Sequence, residues 1–149
     1  QYKLDEVRDA DALLLGRVTY ESFAEAWPPR DGPFADKMNA MPKYVASTTL
    51  DSVDHWTNTT LITGSVPEFV ADLKQQAGGT IGTAGSPTLV RSLIEHGLLD
   101  ELTLMISPVV AGGGRAHLFP DHAASRSFEL VEAQPTSSGA LIATYRAIR

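Results

Sequence analysis

The sequence predicts an α/β fold: a mixed, mostly parallel sheet with helices on both faces and an antiparallel hairpin at its C-terminal end. Three observations predict it. Short apolar or β-branched runs alternate with segments of helical spacing. The connections between them are short and rich in glycine, proline and hydroxyl residues. Near the end, Phe128–Gln134 and Leu141–Arg146 flank a turn-like stretch, Pro135–Ala140, which reads as a hairpin.

Taken in order, residues 2–10 read as a charge-rich helix with Leu4, Val7 and Ala10 as a thin apolar face. Ala12–Leu15 is a buried strand. Tyr20–Ala26 is a helix ended by Trp27-Pro28-Pro29, because proline lacks a donor and restricts the residue before it. Phe34–Met41 is a further short helix stopped by Pro42, and Lys43–Thr48 and Thr60–Thr63 are strands rich in β-branched residues. Pro67 opens a helix to about Gln76, with Phe69, Val70 and Leu73 on one side and Gly78-Gly79 closing it. Thr80–Thr83 is a strand. Thr88–Glu95 is a helix with Leu89, Val90, Leu93 and Ile94 at helical spacing, ended by His96-Gly97. Leu102–Val110 is the strongest strand, followed by the loop Gly112-Gly113-Gly114.

Composition bounds the function. A chain of 149 residues, 43% hydrophobic and 20% charged, is one globular domain with a core of its own. A net charge of −6 without a Lys/Arg cluster argues against nucleic acid as a partner. Cysteine is absent, which removes disulfides, thiolate metal sites and a cysteine nucleophile. No apolar run approaches the roughly 20 residues that span a bilayer, and the expectation is a cytoplasmic protein without membrane contact.

Three strand-to-helix junctions carry the chemistry. At Leu14-Leu15-Gly16-Arg17-Val18-Thr19, a strand meets glycine, a fixed positive charge and a hydroxyl just before a helix. First-turn amides and the positive end of the helix dipole favour a phosphate there. Tyr44-Val45-Ala46 runs into Ser47-Thr48-Thr49, three hydroxyls that read either as a turn cluster or as donors to a phosphate oxygen. The third junction, Ile81-Gly82-Thr83-Ala84-Gly85-Ser86-Pro87-Thr88-Leu89, has small residues that let a backbone approach a pyrophosphate closely. It has neither the lysine of a P-loop nor the G-x-G-x-x-G spacing. Three such strand ends in an open α/β sheet would line one crevice, which points to a nucleotide or dinucleotide.

Other chemistries have less behind them. No serine sits in a G-x-S-x-G elbow, and His55, His96, His117 and His122 show no metal-ligand spacing. Asp100-Glu101 reads as a solvated turn rather than a paired-acid site.

The motif Leu14-Leu15-Gly16-Arg17-Val18-Thr19-Tyr20-Glu21 with Trp27-Pro28 resembles the first signature of the dihydrofolate reductase-like superfamily. Gly85-Ser86-Pro87-Thr88-Leu89-Val90 with Gly97-Leu98-Leu99-Asp100-Glu101-Leu102 resembles a second. Ser107-Pro108-Val109-Val110-Ala111-Gly112-Gly113-Gly114 and His117-Leu118-Phe119 complete the pattern. Together they are similar to the branch containing the reductase domain of the bifunctional riboflavin-biosynthesis protein and its stand-alone relatives. The resemblance implies a three-layer α/β/α domain over residues 1–149, NADPH as cofactor, hydride transfer to a small heterocyclic or carbonyl-type substrate, and a homodimer. It implies that Gly16, Arg17 and Thr19 hold cofactor phosphates and that Ser47 and Thr48 line the pocket of the adenosine 2′-phosphate. It implies too that Gly82, Thr83, Ala84, Gly85, Ser86, Pro87, Thr88 and Leu89 lie under the pyrophosphate and nicotinamide ribose. A fixed arginine beside hydroxyl donors also favours NADPH over NADH.

Relative to that family, a strand and a substrate-covering loop are expected ahead of Gln1, and the residue that assists protonation is not identifiable. The resulting reading is an NADPH-dependent reductase acting on a riboflavin-pathway pyrimidine or a pterin-like compound. The alternative is a non-catalytic nucleotide- or drug-binding module on the same fold.

Overall fold

In the computed structural model, residues 9–112, 117–119 and 122–149 are described; residues 2–8 of the helix expected over 2–10, and the glycines at 113 and 114, lie outside them. The chain forms two compact units that divide between Leu89 and Val90.

The first unit is built on a parallel sheet. Its elements are β1 (Ala10–Gly16), α1 (Arg17–Ala26), α2 (Pro33–Ala40), β2 (Lys43–Ala46), β3 (Thr59–Ile62), α3 (Val66–Gln75), β4 (Thr80–Thr83) and the start of α4 (Pro87–Glu95). The four strands lie in the order β3-β2-β1-β4, all parallel. β1 can be central because its apolar run has no polar face to keep wet; Leu13, Leu14 and Leu15 are all buried. Leu13 and Leu15 join Tyr20 of α1, Met38 of α2, Val45 of β2, Val53 and Trp56 in one apolar cluster. On the opposite face Leu14 is in register with Tyr44, whose ring packs on Phe69 of α3 at 5.4 Å between centroids. Helices therefore cover both faces of this sheet, as the alternating pattern predicts.

Boundaries shift for local reasons. Ala10, expected at the end of a helix, is the first residue of β1 and pairs with Thr80. α1 begins at Arg17 rather than Tyr20, because the β-branched pair Val18-Thr19 has no preceding turn to crowd it in the first helical turn. β2 stops at Ala46 rather than Thr48. There Ser47 Oγ accepts from the N–H groups of Thr49 and Leu50, both at 3.1 Å, and the chain turns instead of extending.

Lys43, the first residue of β2, is wholly buried. Its Nζ donates to the carbonyls of Met38, Asn39 and Met41 at 3.0, 2.9 and 2.8 Å, and lies 4.4 Å from the centre of the Trp56 ring. Three donors thus meet three carbonyls at the end of α2, where a helix leaves such groups unpaired. Burial lowers the Lys43 pKa to about 8.

The second unit is antiparallel. β5 (Glu101–Ile106) and β6 (Phe128–Pro135) flank β7 (Leu141–Ala147) in the order β5-β7-β6. The hairpin is present as expected. Gly139 at φ +84 and the bond from Thr136 N to Ala140 O at 2.7 Å close its turn. The strand expected over Leu102–Val110 ends at Ile106. Pro108 has no N–H for a ladder, and Val109 N instead bonds back to Ser107 O at 2.8 Å. The parallel and antiparallel strands pair as two separate sheets, because β7 takes both its neighbours from its own unit.

Candidate functional site

The strand order of the first unit fixes where a ligand can sit. From β1 the chain passes to β2 and β3 on one side, and β4 returns on the other. The order therefore reverses between β1 and β4, and the carboxyl ends of these two strands flank the crevice such sheets use for ligands. Both ends carry glycine junctions.

The two junctions touch. Gly16 N donates to Ser86 Oγ at 3.1 Å, and Thr19 Oγ1 lies 3.0 Å from Ser86 Oγ. A Cβ built on Gly16 would stand 3.0 Å from the Ser86 Cβ, so only glycine permits this approach. Gly85 and Ser86 have φ of +63° and +54° in succession. Glycine takes that conformation freely, whereas for serine it costs on the order of 1 kcal/mol. Gly16 is the N-cap of α1, has no side chain with which to cap it, and no carboxylate lies in the first turn. Nothing in the first turn of α1 itself therefore offsets the positive end of the helix at this point.

Register places the Ser47 junction beside the first. Gly16 is paired with Ala46, so Ser47 follows β2 at the level where Arg17 follows β1. Ser47 and Thr48 form the turn already described, with the Ser47 oxygen accepting two backbone bonds and lying 3.4 Å from Thr49 Oγ1. Arg17 is half exposed and bonds Glu21 one helical turn on, Nη1 to Oε2 at 2.8 Å. A cleft of about 610 Å3 separates α1, at Tyr20, Glu21 and Ala24, from the loop at Thr49, Leu50 and Asp51.

The remaining predicted positions divide. Thr83 ends β4 with its hydroxyl oxygen buried and without a hydrogen-bond partner. Ala84 continues the turn, Pro87 opens α4, and Thr88 is exposed in its first turn. Gly82 lies further back, in register with Leu13 inside the sheet, and a Cβ there would meet the Leu13 side chain at 3.5 Å. Leu89 is buried, so its side chain belongs to the core. Gly16, Thr19, Gly85 and Ser86 are the residues the fold brings together; Gly82 and Leu89 support them from behind.

Sequence reasoning does not reach the bond between Ser86 and Gly16, which joins residues 70 positions apart. The glycines alone mark the close approach. Among the described residues no group of histidine, aspartate and glutamate could hold a metal ion, and no helix is long and apolar enough to cross a membrane.

Comparison with known proteins bears on the fold and the family. The uncharacterized protein YyaP of Bacillus subtilis (strain 168) is 30% identical over 146 residues, which cover 95% of this chain and 76% of YyaP. A crystal structure from Shewanella sp. PV-4 that bears a riboflavin-biosynthesis name superposes with a TM-score of 0.77 at 22% identity, covering 97% of this chain and 78% of that one. Dihydrofolate reductase from Enterococcus faecalis, complexed with NADP(H) and RAB-propyl, gives 0.66 at 19% identity, covering 99% of this chain and 81% of that one. At such identities the two structures establish a dihydrofolate reductase-like fold. The RibD C-terminal domain family matches residues 1–142, and the chain belongs to that family.

Proposed function

We propose that this protein is an NADPH-dependent reductase that passes hydride to a small heterocyclic or carbonyl-type substrate, a riboflavin-pathway pyrimidine or a pterin-like compound. Membership of the RibD C-terminal domain family and the dihydrofolate reductase-like fold support a reductase-type function. The observation that carries the cofactor reading is the meeting of two glycine junctions at the strand-order reversal, where Gly16 and Ser86 touch beside the uncapped start of α1.

The residues present fit such a group. The amides at the start of α1 and the Thr19 hydroxyl suit phosphate oxygens. Arg17 supplies a charge that can pair with the adenosine 2′-phosphate, with Ser47 and Thr48 as neutral donors. Gly85 and Ala84 allow close backbone approach, and the unpaired Thr83 hydroxyl offers a donor in the same turn. NADPH, when bound, supplies the hydride. The chain's part is to bind the cofactor and hold it in orientation against the substrate. The homodimer implied by the family resemblance belongs to the same proposal.

Fluorescence titration tests the reading: NADPH should bind more tightly than NADH. In Arg17→Ala, the loss of a charged hydrogen bond of about 1.5–3 kcal/mol should weaken NADPH roughly 10- to 150-fold. Equal affinity for NADPH and NADH would remove the 2′-phosphate pocket from the reading. A folded Arg17→Ala protein that binds NADPH as before would remove Arg17, and binding without turnover would favour a binding module.

A further inference from the structure

We infer that the cleft between α1 and the loop after β2 is a binding site for an organic polyamine, a flexible chain with two or more ammonium groups, seated on the Tyr20 hydroxyl. The site uses none of the glycine junctions and does not depend on the cofactor reading.

Tyr20 is the floor of the cleft. The residue is 2% exposed, yet its hydroxyl oxygen is buried without a hydrogen-bond partner in the protein. Such an atom costs stability and ordinarily finds a partner, so one left over points to a group from outside. Burial raises the Tyr20 pKa, the His55 backbone lowers it in part without forming a hydrogen bond, and Asp54 raises it again. The hydroxyl end of the ring therefore faces the segment at Asp54 and His55, and His55 lines the cleft together with Tyr20. The group stays a neutral hydroxyl, whose oxygen can accept from an N–H while keeping its own proton.

The walls select the charge of the ligand. Glu21 and Glu25 stand one turn apart on α1, Asp51 lies on the opposite wall, and no lysine or arginine lines the cleft. Arg17 offsets Glu21 at 2.8 Å, whereas Glu25 and Asp51 have no ion pair among the described residues. These carboxylates are not gathered around one point, since no group of histidine, aspartate and glutamate among the described residues could hold a metal ion. One compact cation cannot meet them together; a chain with spaced ammonium groups meets each wall separately. The volume of about 610 Å3 suits a small organic molecule. Both walls are held in place. Tyr20 packs with Leu15, Val45 and Trp56 in the core, and the two bonds to Ser47 Oγ fix the start of the loop.

The test is a chemical-shift titration of the full chain with putrescine, at pH 8, constant ionic strength and without nucleotide. 1,4-Butanediol serves as the uncharged match and Mg2+ as a compact dication. Putrescine should bind saturably, with shifts centred on Tyr20, Ser52 and His55, and the two controls should not. Tyr20→Phe should weaken putrescine about tenfold, the low end for a hydrogen bond to a charged group. Glu25→Gln and Asp51→Asn should each weaken it about two- to fivefold, as for exposed charge pairs. Because the hydroxyl is unpaired in the free protein, the thermal midpoint of Tyr20→Phe should be no lower than that of the unaltered protein, which keeps loss of fold apart from loss of the contact. Absence of saturable putrescine binding overturns the inference, as does an equal response to Mg2+ or butanediol. Unchanged binding in Tyr20→Phe overturns it too, and so does a lowered midpoint, which would show that the hydroxyl already has a partner within the protein. None of these outcomes bears on NADPH binding.

Discussion

The two sheets meet the same requirement, removal of apolar surface from water, with opposite results. In the parallel sheet Leu15 and Val45 have no exposed surface, and α1, α2 and α3 are the crossover segments that the strand connections themselves provide. In the antiparallel sheet register puts Leu102, Leu104, Ile106, Leu130, Leu141 and Tyr145 on one face, and Ile106, Leu130 and Leu141 remain 50%, 55% and 39% exposed. Parallel neighbours need a crossover, here helical between β1 and β2 and between β3 and β4 and a loop over 47–58 between β2 and β3, and such crossovers also cover the sheet; a hairpin needs only a turn and brings no cover. The comparison also explains the site. Once both faces of the parallel sheet are sealed, polar chemistry is left to the carboxyl ends of its strands.

The sharpest way to break the first half of that comparison is Lys43→Ala. Three carbonyls at the end of α2 would lose their donor and a cavity would open beside Trp56, so a loss of about 3–5 kcal/mol in urea unfolding is expected. A loss below about 1 kcal/mol would mean that water reaches those carbonyls and that this core is less sealed than the burial indicates.

The second half breaks at Leu130. If its face is solvent-exposed in the working protein, Leu130→Ser should change stability by no more than about 0.5 kcal/mol, against about 2–5 kcal/mol for Leu15→Ala. If a second copy covers that face, as the homodimer reading holds, Leu130→Ser should instead shift light-scattering mass from dimer towards monomer. Monomer mass for the unaltered protein at micromolar concentration would count against the dimer.

How legible these regions are in the sequence depends on how local their causes are. The parallel strands and their helices follow from runs such as Leu13–Leu15 and breakers such as Pro42 and Gly78-Gly79, which act over a few residues. The glycine junctions were legible for the same reason. Pro108 was a readable stop that the apolar run Leu102–Val110 outweighs on pattern alone. Lys43 was not legible: a lysine at a strand start ordinarily reads as solvated, and its burial depends on the end of α2 and on Trp56. Ser86 likewise carries no local mark of a partner at Gly16. Division into two sheets depends on which neighbours β7 accepts, which strand patterns do not encode.

Alkaline titration gives a smaller effect in the sealed unit. The unfolded chain keeps the Lys43 proton to its ordinary pKa of 10.5, while the folded protein releases it from about 8. Below pH 8 both states hold the proton and there is no slope; between about 8 and 10 the unfolded state binds more protons, so stability rises with pH. Tyr20 acts in the other direction. Burial raises its pKa above 10.0, so the folded state keeps a proton that the unfolded state loses, and stability falls above pH 10. Unfolding free energy should therefore rise and then fall across this range. Lys43→Met should abolish the rise and Tyr20→Phe should soften the fall. A flat profile between pH 8 and 10 would show that the three carbonyls hold the ammonium form as strongly as water does.

The smallest expected change in stability is at Glu21, and it separates the crevice from an ordinary helix surface. Glu21 and Arg17 form an exposed pair at 2.8 Å, four residues apart on α1, of a kind worth about 0.3–0.5 kcal/mol. Glu21→Gln should therefore leave stability within about 0.5 kcal/mol, whatever Arg17 does. The outcomes diverge in cofactor binding. Arg17 bonds Glu21 through Nη1 and has other N–H groups in its fork to offer a phosphate. If it serves a phosphate, removing the neighbouring carboxylate takes away a competing partner and a repelling charge at once. NADPH should then bind about two- to fivefold more tightly, most visibly at low salt, because exposed charges are screened within roughly 10 Å at 0.1 M. NADH, which lacks the 2′-phosphate, should gain little. If Arg17 is only the outer half of a helix-surface pair, neither cofactor responds, and the polar edge of the parallel sheet owes its charge to the start of α1 alone.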